Sequence, residues 1–443
     1  MNAPFWTLQR LAQALGDGPS DGRPIAGVTT DTRAVQPGQC FVALRGETFD
    51  GHDFLAEAVA KGAAALVVSD PRPAATLGVP VFVVPDTLVA LGMLGRYRRL
   101  AWQRPVVAVG GSNGKTSTKE LLKAVLGSRL TVHATTGNLN NRIGVPLTLL
   151  ALDDAADVAV VEAGTNEPGE IAILRDIIQP DVAVVTTVQE EHLEGLGDLA
   201  GVMAEELALC DDVPVAVVPA SEPEVVAEAE ARAGRTIAAA LPASHGLHPD
   251  GRGWLELDGV RLESPLRGAH NLRNAALALA VGREFGLDAA AMAEGLAAMP
   301  LPPMRSHVGP LGRALLINDA YNANPGSARA ALALLADVGQ GRQRVAVLGT
   351  MRELGTHAPQ KHREVAEAAL AGGHDLVAGI GDFKAALTAL AAQDPRVVVA
   401  DDVEDLWPLL EARLAPDAAI LLKASRGVKL ERLVPHLTTW AAR

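Results

Sequence analysis

The sequence predicts an α/β protein of three domains, and three observations carry that prediction. The 443 residues are too many for one ordinary core, and 49% of them are apolar, so the chain divides into units of roughly 100–200 residues. Short all-apolar runs alternate with helical patterns, the signature of parallel strands covered on both faces. The pattern restarts twice, after Val84 and around Pro300, Pro302 and Pro303. These breaks give an N-terminal domain over 1–84, a central domain over 85–303 and a C-terminal domain over 304–443.

In the first domain Ile25–Thr29, Phe41–Leu44, Ala63–Val68 and Val81–Val84 read as strands and Phe54–Ala60 as a helix. A helix over about Leu88–Trp102 follows, whose Arg96, Arg98 and Arg99 read as a solvated face. Val106–Val109 is a buried strand that runs straight into a Gly-rich turn, and Ser117–Leu126 continues as a helix. Val158–Val161 and Val182–Val185 are further strands. Residues 222–262 read as an Ala- and Glu-rich helix and then an irregular stretch punctuated by Gly and Asp. Leu272–Phe285 is a helix. In the last domain Leu315–Asn318, Val345–Leu348, Val397–Ala400 and Ala419–Leu422 are strands.

Charge and cysteine content exclude several classes. With 52 acidic against 39 basic residues the formal net charge is −13, which argues against a nucleic-acid binder. A few cations in a cleft still suit an anionic small substrate. Cys40 and Cys210 are too few and too far apart for a disulfide framework or a metal site, and read as buried thiols in a reducing compartment. Met1–Arg10 lacks the pattern of a secretory signal, and no apolar run reaches the ~20 residues of a membrane helix. The expectation is a cytoplasmic, soluble protein.

The Gly-rich turn is Gly110-Gly111-Ser112-Asn113-Gly114-Lys115-Thr116, followed by Ser117. A strand, such a turn and a helix opening on Lys-Thr make a phosphate site. Backbone N–H groups face inward, the helix N-terminus adds partial positive charge, Lys115 reaches the outer phosphates and the Thr116 hydroxyl suits Mg²⁺. Val109 stands where the usual loop has its first glycine, so this loop is one residue shorter. Magnesium triphosphate needs hard ligands at the C-terminal edge of the sheet, where Glu162 and His192 stand. The polar stretch Thr136-Gly137-Asn138-Leu139-Asn140-Asn141-Arg142-Ile143-Gly144 offers many donors, and Asn138, Asn140 and Asn141 read as a substrate-contact loop.

These motifs resemble the Mur ligases of peptidoglycan synthesis. The short loop, Gly137-Asn138-Leu139-Asn140-Asn141 and His192-Leu193-Glu194-Gly195 carry the likeness. Asn318-Asp319-Ala320-Tyr321-Asn322-Ala323-Asn324-Pro325 narrows it to the branch that adds D-alanyl-D-alanine to UDP-N-acetylmuramoyl-tripeptide. Asp31-Thr32-Arg33, Phe41 to Gly46, Phe49 to Asp53, Arg267 to Asn271 and Lys423-Ala424-Ser425-Arg426 fit in the family's order. The resemblance implies a P-loop ATPase domain in the centre, a Rossmann-like C-terminal domain, and ATP and Mg²⁺ as cofactors. By its analogy Lys115 and Thr116 hold phosphate and metal, and Glu162 and His192 are metal ligands. His270 and Asn274 lie near the nucleotide, and Arg305 reaches the terminal phosphate. Asp319, Tyr321 and Asn322 meet ribose and adenine. Thr30, Asp31 and Arg33 face the uridine diphosphate, and Ser425 and Arg426 contact substrate. A monomer that phosphorylates a carboxylate and then lets an amine displace phosphate is the implied enzyme.

One departure stands out. The family's carbamylated lysine after the His192 segment is matched by Glu206, since no lysine lies between Lys123 and Lys361. Glu206 keeps the negative charge with a shorter reach and is expected to serve a second metal. Thr350 and Ala424 depart where aspartate and glycine are common. The rival readings are another Mur-type or folylpolyglutamate-type amide ligase, or a catalytically impaired nucleotide-binding relative. A GTPase would need a longer loop and an Asn-Lys-x-Asp motif, which is absent.

Overall fold

A computed structural model describes residues 4–300, 307–391 and 394–443. Arg305 and the prolines Pro302 and Pro303 lie outside the described residues. The chain divides into two compact units. The first holds residues 1–108, 131–164 and 170–181, and the second holds 109–130, 165–169 and 182–443.

In the first unit, β1 (Val28–Thr29), β2 (Cys40–Val42), β3 (Ala65–Val68) and β4 (Val81–Val83) form a parallel sheet in that order. Side chains alternate across it, as the two-residue strand period requires. Cys40, Val42, Val67 and Phe82 pack with Trp6, Leu8 and Leu11, and with Leu91 and Leu94 of α1 (Thr87–Trp102). Phe41, Leu66 and Val68 pack on the other side with Leu55 and Ala58. The run Ile25–Thr29 is two strands rather than one. Pro24–Ile25 pairs antiparallel with Trp6–Thr7, and β1 pairs with β2.

The arginines of α1 correct the expectation of a solvated face. Arg96 is exposed, but Arg98 and Arg99 are buried. Arg98 donates to the Leu152 carbonyl (2.7 Å) and Asp154 (2.6 Å). Arg99 donates to the carbonyls of Ile178 (3.0 Å) and Gln179 (2.9 Å) and to Asp181 (2.8 Å). The helix Glu170–Ile178 ends with carbonyls that have no partner of their own, and the planar guanidinium supplies it.

Strand β5 (Val106–Gly110) begins in this unit and ends in the other. Beside its first half lies β7, with β6 beyond. Here β6 is Val132–Ala134 and β7 is Val158–Glu162, paired in parallel. Ala159 N–H bonds to the Pro105 carbonyl at 3.0 Å.

In the second unit the end of β5 leads through the Gly-rich turn into α2 (Lys115–Gly127). Next to β5 runs β8 (Val182–Val185), followed by α3 (Leu199–Leu207). Outward from β8 lie β9 (Val215–Pro219) and β10 (Thr236–Ala239), all parallel. The stretch read as irregular contains an antiparallel sheet of β11 (His245–Leu247), β12 (Arg252–Leu257) and β13 (Val260–Arg267). Asp258 and Gly259, both at positive φ (52° and 76°), make the two-residue turn between β12 and β13, as a type I′ hairpin demands. Helix α4 (Ala269–Glu284) starts three residues earlier than the sequence pattern.

The last sheet contains β14 (His307–Leu311), β15 (Ala314–Asp319), β16 (Arg344–Leu348), β17 (Leu376–Gly379), β18 (Val397–Val399) and β19 (Ala419–Lys423). Helix α5 (Pro325–Val338) follows β15 and α6 (Ala358–Ala371) follows β16. The order is β14-β15-β19-β16-β17-β18, and only the β14–β15 pair is antiparallel. Its core joins Val345, Val347, Ile420 and Leu422 with Leu406, Leu433 and Leu437. Among the described residues, no helix is long and apolar enough to cross a membrane.

Candidate active site

The turn after β5 needs its glycines. Gly111 has φ +109° and Gly114 has φ +89°. A Cβ on Gly111 would stand 2.4 Å from Thr186 Oγ1, and one on Gly114 would stand 2.7 Å from Asn274 Nδ2. Only glycine meets both the backbone and the space requirement. Ser112 shapes the loop: its N–H bonds to the Thr187 carbonyl (2.7 Å) and its hydroxyl to the Gln189 carbonyl (2.9 Å). Asn113 Nδ2 donates to Gln189 Oε1 (2.9 Å), and Thr186 Oγ1 donates to the Asn113 carbonyl (2.6 Å). Lys115, Thr116 and Ser117 then open α2, where the helix N-terminus favours an anion.

Lys115 stands between two acids. Its Nζ donates to the Gly111 carbonyl at 2.6 Å and lies 3.6 Å from Glu191 and 4.0 Å from Glu206. Both carboxylates are buried. Glu206, on α3, accepts the Gly111 N–H through Oε2 at 2.6 Å. Burial pushes the Glu191 carboxyl up to about 8; Lys115 counters this, and Glu206 adds to it.

His192 takes a left-handed backbone (φ 48°) ahead of the short helix Leu193–Leu196. Its Nδ1 is 2.5 Å from Glu353, and its Nε2 is 3.7 Å from Glu191. Burial lowers the ring's proton affinity, but the Glu353 and Glu191 carboxylates outweigh it and raise the pKa overall.

The C-terminal sheet adds a second set of groups. Asn324 caps α5 in a capping box with Ser327, and its Nδ2 reaches Asn113 Oδ1 at 2.9 Å and Glu191 at 3.4 Å. Lys361 on α6 pairs with Glu190 at 2.9 Å. Asp319 and Lys423, at the same edge of neighbouring strands β15 and β19, pair at 2.6 Å. Burial drives the His270 pKa down to about 4; Asp319 opposes this, and Lys423 reinforces it. The Arg426 guanidinium lies 5.9 Å from the Tyr321 ring centre. Ser425 Oγ accepts the Arg352 N–H at 3.0 Å, and Asn322 Oδ1 accepts the Ala323 N–H at 2.9 Å.

The first unit holds the other predicted residues. Glu162, buried at the end of β7, accepts Asn140 Nδ2 at 3.0 Å. Asn141 Oδ1 accepts the N–H groups of Ile143 (3.1 Å) and Gly144 (2.9 Å), and Asn138 is exposed. Two of the three asparagines thus have structural uses. Asp31 caps the turn Thr32–Ala34 and pairs with Arg33 at 2.8 Å. The Arg33 side chain holds the Asp31 carboxyl at about 2. Thr30 is half-buried beside them.

The structure therefore gathers Gly110 to Ser117, His192, Glu206 and Asn274 around one loop, and Asp319, Tyr321, Asn322, Ser425 and Arg426 at one strand edge. Sequence reasoning gave no site role to Gln189, Glu191, Glu353 and Lys361, and named Asn324 and Lys423 only as members of motifs. Glu191 adjoins His192 in an acidic run, and Asn324 precedes a proline at a helix start, so those two carried a local signal. Glu353 and Lys361 carried none.

A divalent cation fits this chemistry. Glu191 Oε1 and Glu206 Oε1 are buried without hydrogen-bond partners, and Lys115 Nζ, 3.6 and 4.0 Å from them, meets them only at ion-pair range, which leaves acidic oxygens to receive a further cation. Among the described residues no group of three or more His, Cys, Asp and Glu side chains is arranged to hold a metal. Magnesium, however, completes its shell with hydroxyl, water and phosphate oxygens.

A Gly-rich loop between a parallel strand and a helix N-terminus, with a second α/β sheet whose Asn324 reaches that loop, is the arrangement of a nucleotide-dependent enzyme. Three family models match in sequence: the Mur ligase family catalytic domain over residues 24–99, the Mur ligase middle domain over 109–282 and the glutamate ligase domain of Mur ligases over 305–426. The chain belongs to the Mur ligase family. It is 36% identical to the UDP-N-acetylmuramoyl-tripeptide--D-alanyl-D-alanine ligase of Escherichia coli, over 97% of this chain and 98% of that one. The Bacillus subtilis enzyme of the same name is 34% identical over 93% of each. A crystal structure of MurF from Acinetobacter baumannii superposes with a TM-score of 0.89 at 30% identity, covering 98% of this chain and 99% of that one. MurF from Thermotoga maritima in complex with ADP gives 0.81 at 27% identity, covering 94% and 98%.

Proposed function

We propose that this chain joins D-alanyl-D-alanine to UDP-N-acetylmuramoyl-tripeptide, as the names of its relatives describe, and consumes ATP in doing so. A carboxylate is a poor acyl donor because its leaving group would be oxide. Transfer of the γ-phosphoryl group to the tripeptide's terminal carboxylate gives an acyl phosphate. The dipeptide amine then attacks the carbonyl carbon and phosphate leaves, yielding the amide, ADP and phosphate. The observation that supports this reading is Lys115, at the head of α2, set between the buried Glu191 and Glu206.

In this reading Lys115 and Arg305 neutralise the transferring group, and the N–H groups of the Gly110–Ser117 loop cradle the phosphates. Thr116, Glu162 and His192 would hold Mg²⁺, with Glu206 serving a second ion. Magnesium supplies charge neutralisation at the phosphoryl oxygens. His270 and Asn274 flank the nucleotide, and Asp319, Tyr321 and Asn322 bind ribose and adenine. Thr30, Asp31 and Arg33 receive the uridine diphosphate. Asn138, Asn140, Asn141, Ser425 and Arg426 contact the peptide. The enzyme works as a cytoplasmic monomer. The test is phosphate release measured with each substrate omitted in turn. Release that requires ATP, the UDP-linked tripeptide and D-alanyl-D-alanine together is expected. Turnover of ATP without the other two would replace this reading with an uncoupled ATPase.

A further inference from the structure

Besides Lys361 on Glu190 and Asn324 on Glu191, one residue in the loops of the C-terminal sheet meets the His192 turn through both its side chain and its backbone. Glu353 follows β16 and, like His192, has a left-handed backbone (φ 63° and 48°). Its side chain places Oε2 2.5 Å from His192 Nδ1, an ion-pair contact that is out of line with a ring N–H hydrogen bond, while its carbonyl accepts the Glu194 N–H at 3.1 Å. Two residues on, Gly355 sits at φ +51°, and a Cβ there would come within 3.2 Å of Glu194 Cα. A side chain there would press on the Glu194 backbone, so the two backbones meet closely. The Glu353 carboxylate is about half exposed, whereas the His192 ring is largely enclosed, at 13%.

We propose that Glu353 is a positioning residue for His192. A carboxylate this close to Nδ1 favours the proton on that nitrogen once the ring turns to meet it, which leaves the lone pair on Nε2. Nε2 is the nitrogen on the Glu191 side. The ring is then presented in one orientation and one tautomer only while the loop after β16 is docked against the His192 turn. The inference rests on the reading of His192 as a ligand to the nucleotide's magnesium, and it gives that ligand a partner outside the phosphate-loop sheet.

The test uses the full chain with Glu353→Ala, Glu353→Gln and His192→Gln. ¹⁵N spectra of histidine-labelled protein, recorded at about pH 9 where an imidazole is neutral, report the ring tautomer, and the His192 signals are those lost in His192→Gln. The native ring is expected as the Nδ1–H form, Glu353→Ala as a mixture, and Glu353→Gln as the Nδ1–H form again, because the amide oxygen still accepts. In turnover, Glu353→Ala is expected to lose roughly 10- to 100-fold in kcat with KM for ATP changed far less, and Glu353→Gln to recover most of that. An unchanged tautomer and kcat in Glu353→Ala overturns the proposal. So does a kcat loss of equal size in both variants with an unaltered ring spectrum. If the tautomer responds as stated but His192→Gln turns over normally, the positioning stands and the magnesium role of His192 falls.

Discussion

The phosphate loop and the Thr30–Arg33 segment are both polar motifs at the ends of short parallel strands, yet they are built in opposite ways. Around the loop, the acids are buried and only loosely answered: Glu191 and Glu206 each keep a carboxylate oxygen without a hydrogen bond, with Lys115 3.6 and 4.0 Å away. In the N-terminal segment, the charges answer each other and face solvent, with the Arg33 side chain 87% and the Asp31 side chain 42% exposed. Burying acids costs folding free energy unless their oxygens are fully answered, and here Lys115 answers them only at 3.6 and 4.0 Å. An exposed pair costs nothing and contributes little. The first region therefore keeps its charges inside the fold. The second is a surface whose function lies in what it contacts.

The largest expected effect breaks the loop side of this comparison. Lys115→Ala removes the one cation set between Glu191 and Glu206 in the described structure. Catalysed phosphate release is expected to fall on the order of 10²–10³-fold or more, the range for one transition-state electrostatic contact. A variant at full rate would mean that the triphosphate is held elsewhere.

Glu206 sharpens the same side with a smaller effect, because two roles can be separated there. Glu206→Ala leaves the Gly111 N–H buried without its acceptor, a loss of about 1–3 kcal/mol in unfolding free energy measured with urea. Glu206→Gln keeps an acceptor oxygen and is expected to recover most of that stability. If the charge also serves metal, both variants need more magnesium to reach half-maximal rate. An unchanged rate and magnesium requirement in Glu206→Ala would leave Glu206 as a brace for the loop alone.

Much of this architecture was legible because buried parallel strands are apolar on both faces. Val106–Gly110, Val158–Glu162 and Val182–Val185 announce themselves, and so does the short glycine loop after the first. The β12–β13 hairpin was not read: Asp258-Gly259 is a hairpin turn pair, but the flanking strands alternate polar and apolar residues and read as irregular. What could not be read was long-range pairing. Arg98 and Arg99 look like a solvated face until carbonyls 54 and 79 residues away meet them. The docking of Glu353 on His192 has no local sequence signal, because neither residue's neighbours reveal that the two backbones touch. Asn140 and Asn141 were picked for their donors, and the structure shows one holding Glu162 and the other capping a turn.

The smallest effect tests the other region. Asp31 accepts the Arg33 N–H and its guanidinium, and Arg33 keeps the carboxyl ionised down to about 2. Asp31→Asn retains the cap but loses the charge, and because the pair is exposed the melting temperature is expected to stay within about 2 °C of the parent. The informative number is kinetic. If this segment meets the uridine-diphosphate end of the substrate, KM for the UDP-linked tripeptide rises several-fold while KM for ATP and kcat hold, since the lost contact is the same in ground and transition states. A stability loss as large as that of Glu206→Ala would erase the contrast between the two regions. An unchanged KM would detach the segment from substrate binding.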